Sequence, residues 1–302
     1  MEIVITPEIL LNSALEPMLL KAFIVGVLTA VCAAVLGVPL VLKRYSMIGD
    51  GLSHIGFFTL AVATLLGVPD DKQMLVTLPL VVLAAVVLLL LSESGKIKGD
   101  AAIAMFSTGA VALGYIIYSA FAQNPGDVCS SLFGASIMAL DMGDVKISIL
   151  LSVGVLLTFV LLFNKIFAVT FDPAFAAASG TRVSVYNVLI AVLTAVTIVV
   201  GMKMIGSVMI SALIIFPALS AMRLCKRFKQ VILLSALISL ANFIIGYLFS
   251  ATVAINAFGH EMVSLPLGPC VVCFNVLTLL LCMGYKAIGD RIRGKRAFAD
   301  KH

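Results

Sequence analysis

Nine runs of apolar residues, each close to the thickness of a lipid bilayer, decide what this chain can fold into. They lie at about 18–41, 52–67, 73–91, 101–122, 146–168, 183–201, 205–222, 231–254 and 264–284. A spanning helix needs about 20 apolar residues, because lipid offers its backbone no hydrogen-bond partners. Charged residues are 12% of the chain against 62% apolar, and mean hydropathy is +1.19. A soluble domain carries roughly 25% charge. The expected fold class is therefore all-α: a polytopic helical membrane protein with nine crossings, or eight if a short segment is re-entrant. Segment 52–67 is short unless residues 47–51 join it, which would bring Asp50 into the helix.

Lys and Arg set the expected orientation. With the N-terminus outside and nine crossings, the inner loops receive Lys43, Arg44, Lys96, Lys98, Lys165, Arg182, Arg223, Lys226, Arg227, Lys229 and the basic residues from Lys286 to Lys301. Only Lys21, Lys72, Lys146 and Lys203 fall outside. Basic residues favour cytoplasmic loops, so the N-terminus is expected outside and the C-terminus inside. The net charge of +5 is thus a topology signal rather than a nucleic-acid footprint.

The whole of 1–302 reads as one integral-membrane domain, with no convincing internal repeat. Residues 1–17 read as an outer interfacial segment rather than a cleavable signal, because Glu2 and Glu8 replace a basic leader. Thr6-Pro7-Glu8 has the chemistry of a helix start: a cap, a first-turn proline and an acid at the positive end of the dipole. Asn124-Pro125-Gly126-Asp127 marks a turn in the longest polar connection. Residues 285–302 read as a basic cytoplasmic tail that meets anionic lipid.

Six cysteines form no extracellular staple pattern. Cys32, Cys225 and Cys282 lie in or beside apolar segments, and Cys129 stands alone in an outer loop. Cys270 and Cys273 make a CxxC at an apolar helix start, without the second pair that a four-thiolate site needs. His260-Glu261 reads as a solvated outer-loop pair, since HExxH is incomplete, and His302 is terminal.

Two ionisable groups stand apart from this pattern. In Met47-Ile48-Gly49-Asp50-Gly51-Leu52-Ser53-His54, Asp50 and His54 share a helix face one turn apart. A charge at the centre of a membrane helix costs about 2.5–3.5 kcal/mol on insertion scales, so such groups face a partner or an aqueous path. One reading is an Asp–His hydrogen bond that fixes helix packing. The other is a metal site, since a carboxylate oxygen with an imidazole nitrogen suits zinc, manganese or iron. One chain supplies two ligands; a two-fold dimer would supply four.

Several motifs in order resemble one family. Lys43-Arg44 precedes Gly49-Asp50 and His54. The run from Ile205-Gly206-Ser207 to Phe216-Pro217-Ala218-Leu219-Ser220-Ala221 is a glycine-led apolar helix ending in Pro-Ala-x-x-Ala. Phe171-Asp172-Pro173-Ala174-Phe175-Ala176 is followed by Gly180, and Leu132-Phe133-Gly134 and Gly268-Pro269 add two landmarks. Over about residues 20–285 the chain resembles the membrane permease subunits of bacterial ABC-type zinc/manganese/iron importers. His260 and the Cys270/Cys273 pair depart from the pattern.

The resemblance implies a pathway between two permease chains in the bacterial inner membrane. A periplasmic or lipoprotein metal-binding protein would deliver the ion, and two cytoplasmic ATP-binding subunits would drive transport. No cofactor would be held permanently; the divalent metal is cargo. The chain has no GxxxxGK[ST] phosphate loop, so it is expected to hydrolyse no ATP itself. Asp172 as cap, Pro173 at the first position and Gly180 as stop frame a short helix, with Ala174, Phe175 and Ala176 between, that would dock into each ATPase. A plain connecting turn is the simpler reading of that segment. Two rival functions are a secondary transporter or channel using Asp50 and His54 as a proton relay, and a redox enzyme using Cys270 and Cys273.

Overall fold

The computed structural model describes residues 2–5, 17–45, 47–69, 72–93, 99–121, 142–256 and 263–299. The expected helix start at Thr6-Pro7-Glu8, the Asn124–Asp127 turn, Leu132-Phe133-Gly134, Cys129, His260-Glu261 and His302 lie outside the described residues.

Strand β1 (Glu2–Ile5) precedes helices α1 (Pro17–Leu42), α2 (Ile48–Leu65), α3 (Gln73–Glu93) and α4 (Gly99–Phe121). Then follow α5 (Met142–Leu161), α6 (Phe163–Phe171), α7 (Pro173–Ala178), α8 (Val183–Ile205), α9 (Ser207–Leu224) and α10 (Phe228–Thr252). Strands β2 (Val253–Asn256) and β3 (Val263–Ser264) lead into α11 (Leu267–Ala299).

Helices α1, α8 and α9 form the centre, with α2, α3, α5, α10 and α11 packed around them and α4 laid against α2. The close approach of α1 to α9 depends on Gly37, where a Cβ would stand 1.9 Å from the carbonyl oxygen of Ile214. In lipid, helix association rests on such small-residue contacts, since apolar surface gains little by leaving lipid for protein. Serines add hydrogen bonds between helices: Ser235 and Ser239 of α10 donate to Ala34 O and Ala30 O of α1, at 3.1 and 2.8 Å.

Among the described residues, eight helices are each long and apolar enough to span a bilayer. The segment expected at 146–168 is not straight: it bends by 69° between Leu161 and Phe163. Beyond the break α6 is amphipathic, with Asn164 and Lys165 exposed and Ile166 and Val169 buried. Its rings Phe163, Phe167 and Phe171 each lie 5.2–5.5 Å from Phe228, the first residue of α10. Seating this aromatic row while freeing the polar side chains accounts for the bend.

Three further differences concern boundaries. The second spanning helix begins at Ile48, so Asp50 does lie inside it. Helix α8 runs on to Ile205, which places Lys203 within the helix rather than in a loop, and Gly206 alone joins it to α9. Gly206 has φ +95° and ψ 153°, a conformation essentially restricted to glycine. Lastly, Glu2–Ile5 is a strand, paired antiparallel with Val253–Asn256. The all-α bundle therefore carries one small three-stranded sheet in the order β1-β2-β3.

Candidate functional site

Asp50 occupies the first turn of α2, where a carboxylate complements the positive end of the helix dipole. Its Oδ1 lies 3.4 Å from His54 Nε2, the contact expected of a pair at i, i+4. The pair remains partly open: 44% of the Asp50 side chain and 23% of the His54 side chain are exposed. His54 Nδ1 is buried and has no hydrogen-bond partner among the described residues.

The neighbours of this pair give its depth. Ser53, between the two, is buried; its hydroxyl donates to Asp50 O at 2.8 Å and lies 3.5 Å from Ser211 Oγ. A Cβ on Gly49 would stand 3.2 Å from Ile214 Cδ1 and 3.7 Å from Ser211 Cα. Asp50 thus sits beside the first half of α9, roughly 15 Å along the axis from that helix's end at Leu224 by helical rise. Small residues bring α2 this close: a Cβ on Gly56 would meet the Met202 sulfur at 2.8 Å, and one on Gly51 would meet Ile103 Cγ2 at 2.4 Å.

The pair can grip one divalent ion with two ligands, an anionic oxygen and an imidazole nitrogen. Among the described residues no group of three or more His, Cys, Asp and Glu gathers at one place. A full coordination shell would therefore need water or a second chain.

The segment 172–180 forms the short helix expected. Asp172 Oδ1 accepts from Phe175 N at 2.8 Å, Pro173 holds the first position, and Gly180 at φ +80° ends it. Thr181 N then donates to Ala176 O at 2.9 Å. Ala176 is fully buried, Asp172, Pro173 and Ala174 are exposed, and the Phe175 ring is 68% exposed.

Cys270 and Cys273 lie in the opening turns of α11, the first buried and the second exposed. Two polar links lay beyond the sequence reading. Lys43 Nζ donates to Asn187 Oδ1, joining the α1–α2 turn to α8. Asn242, Asn275 and Thr278 join α10 to α11: Asn242 Nδ2 donates to Asn275 Oδ1 at 3.0 Å, and the Thr278 hydroxyl to Asn242 Oδ1 at 2.9 Å. Amides inside apolar spans were the available signal for both.

Comparison with known proteins sets this geometry in a family. The model of the ABC 3 transport family matches residues 16–286. The chain belongs to the ABC 3 transport family. It is 30% identical, over 76% of its length and 82% of the relative's, to the manganese import system permease protein ScaB of Streptococcus gordonii. It is 27% identical to the chelated iron transport system membrane protein YfeD of Yersinia pestis, over 91% of this chain and 89% of that one. Its fold matches PsaBC from Streptococcus pneumoniae, solved in complex with Fab, with TM-score 0.76 at 24% identity, covering 91% of this chain and 94% of the other. As a member of this family with eight spanning helices and a bent pair, the chain is a multi-pass protein of the bacterial inner membrane.

Proposed function

We infer that the chain is the membrane permease subunit of an ATP-driven importer of a divalent transition metal ion. Relatives named for manganese and for chelated iron support that cargo class, and zinc shares its ligand chemistry. The observation that carries the reading is Asp50 within 3.4 Å of His54, partly open, beside the first half of α9 in a chain of this family. Two copies face each other, and their Asp50 and His54 side chains bind the ion in transit. A metal-binding protein delivers it from outside. ATP-binding subunits take up α7 from within, with Phe175 as the anchor and Asp172, Pro173, Ala176 and Gly180 holding its shape.

The test is a pair of near-isosteric variants in the assembled complex. Asp50→Asn removes the anionic oxygen, and His54→Phe removes both ring nitrogens. Each is expected to assemble at wild-type yield and to lose ATP-dependent metal uptake in proteoliposomes. Wild-type uptake in both would sink the site. Poor assembly with uptake in proportion to yield would mark the pair as a packing contact. Uptake that needs a proton gradient and no ATPase would favour the relay instead.

A further inference from the structure

Lys43 and Asn187 are 144 residues apart in sequence, yet their side chains bond. Each end of that bond leads into one half of the transport machinery. Asn187 lies in the second turn of α8. A few residues back along the chain is Thr181, whose N–H returns to Ala176 O in α7 at 2.9 Å. Lys165 Nζ of α6 reaches the Thr181 hydroxyl at 3.4 Å, so α6, α7 and the start of α8 are tied together.

Lys43 opens the turn that carries α2. Arg44 takes φ +63°, Tyr45 N donates to Leu40 O at 2.9 Å, and Ile48 N donates to Tyr45 O at 3.1 Å. Asp50 follows two residues later. This turn is a compact hydrogen-bonded unit, so displacing Lys43 displaces the start of α2.

Between the turn and α8 lies a narrow apolar crevice. Leu40, Tyr45 and Ile48 form one side, Leu89, Ile190 and Ala191 the other, and Lys43 and Asn187 complete its lining. Apolar contact across this packing is non-directional, whereas a hydrogen bond from an ammonium to an amide oxygen holds one register.

We propose that the Lys43–Asn187 bond is the latch through which α8 moves the α1–α2 turn, making both positioning residues for Asp50 and His54. The proposal rests on the importer reading above. It goes beyond that reading in naming the route from the ATPase dock to the metal pair.

The experiment uses the full complex with its ATPase subunits in proteoliposomes and measures ions carried per ATP hydrolysed. Asn187→Leu and Lys43→Met each remove the bond at similar volume. Both are expected to keep assembly yield and basal hydrolysis, while ions per ATP fall about tenfold or more, as befits loss of a hydrogen bond to a charged group. Asn187→Asp keeps an acceptor and is expected to retain coupling. The double variant is expected to lose less than the sum of the two singles, because they share one bond. Unchanged coupling in the singles, an additive loss in the double, or a loss that only follows yield would overturn the latch.

A second readout does not depend on cargo. ATP binding is expected to alter amide hydrogen exchange across residues 43–51 in the wild type and not in Asn187→Leu. No response in the wild type, or an equal response in the variant, overturns the latch. If the wild type shows the response but takes up no metal, the importer reading fails and the latch stands.

Discussion

Gly37 faces Ile214, which the packing of α9 brings beside it. A Cβ there would stand 1.9 Å from a backbone carbonyl oxygen, which cannot rotate aside as a side chain would. Gly37→Ala is therefore expected to force α1 and α9 apart, destabilising by at least the 1–3 kcal/mol typical of overpacking, and to reduce the yield of monodisperse protein in detergent. Gly154→Ala is the matched control. A Cβ at Gly154 meets nothing within 4 Å, so its yield should equal wild type. Equal yields from the two variants would contradict this packing. The meaning of Gly37 was silent in the sequence, as was the Lys43–Asn187 bond, because nothing local pairs residues so far apart along the chain. Asp50 and His54 were legible because four residues of helix bring two side chains together whatever surrounds them.

At the scale of elements, the helices were legible as apolar runs, but their bends were not, since hydropathy sums over a window and carries no direction. The break at Leu162 is the instance that matters. It turns α6 so that Phe163, Phe167 and Phe171 surround Phe228 at the start of α10, which also packs on Val38 and Ala218. Phe228→Ala removes the centre of this group. It is expected to destabilise by about 3–5 kcal/mol, as for other buried Phe truncations, and to lower the thermal midpoint of the detergent-solubilised chain. A midpoint within a degree of wild type would show that the ring row does not hold α6. Helix α7 makes the opposite case. Phe175 is mostly exposed, so Phe175→Ala should change stability by no more than about 0.5 kcal/mol. Replacing Pro173 and Phe175 together is nonetheless expected to uncouple hydrolysis from uptake while the complex still forms. Unchanged uptake with unchanged ATPase binding would return this segment to a plain connecting turn, the simpler reading of its sequence.

For the molecule as a whole, a short sheet constrains how often the chain crosses the membrane. Apolar runs put the count at nine or eight, and hydropathy alone could not choose, because the bent segment passes only as a pair of helices. The sheet was invisible in the sequence, since its strands come from opposite ends of the chain. Residues Glu2–Ile5 pair with Val253–Asn256, so both lie on one side of the bilayer. A chain that leaves a side and returns to it crosses an even number of times. Between those strands lie all the unbroken spanning helices except α11, together with the bent α5–α6 pair. Among the described residues the unbroken ones alone are seven of the eight, an odd number, which would leave the strands on opposite faces. We therefore expect the pair to count as a crossing among the described residues, with the 17 residues Val145–Leu161 rising about 25 Å. With α11 as one more crossing, β1 and the far end of α11 are expected on opposite sides. The basic loops lead us to expect the N-terminus outside. Two measurements check this in a cysteine-free background. Ile3→Cys with Ile255→Cys, which are Cα partners across β1 and β2, should cross-link on mild oxidation. A membrane-impermeant thiol reagent on right-side-out vesicles should label a single cysteine at Glu2 and leave one at His302 untouched, with the reverse in inverted vesicles. Labelling of both termini from the same side would require an even count and would make α5–α6 a re-entrant hairpin.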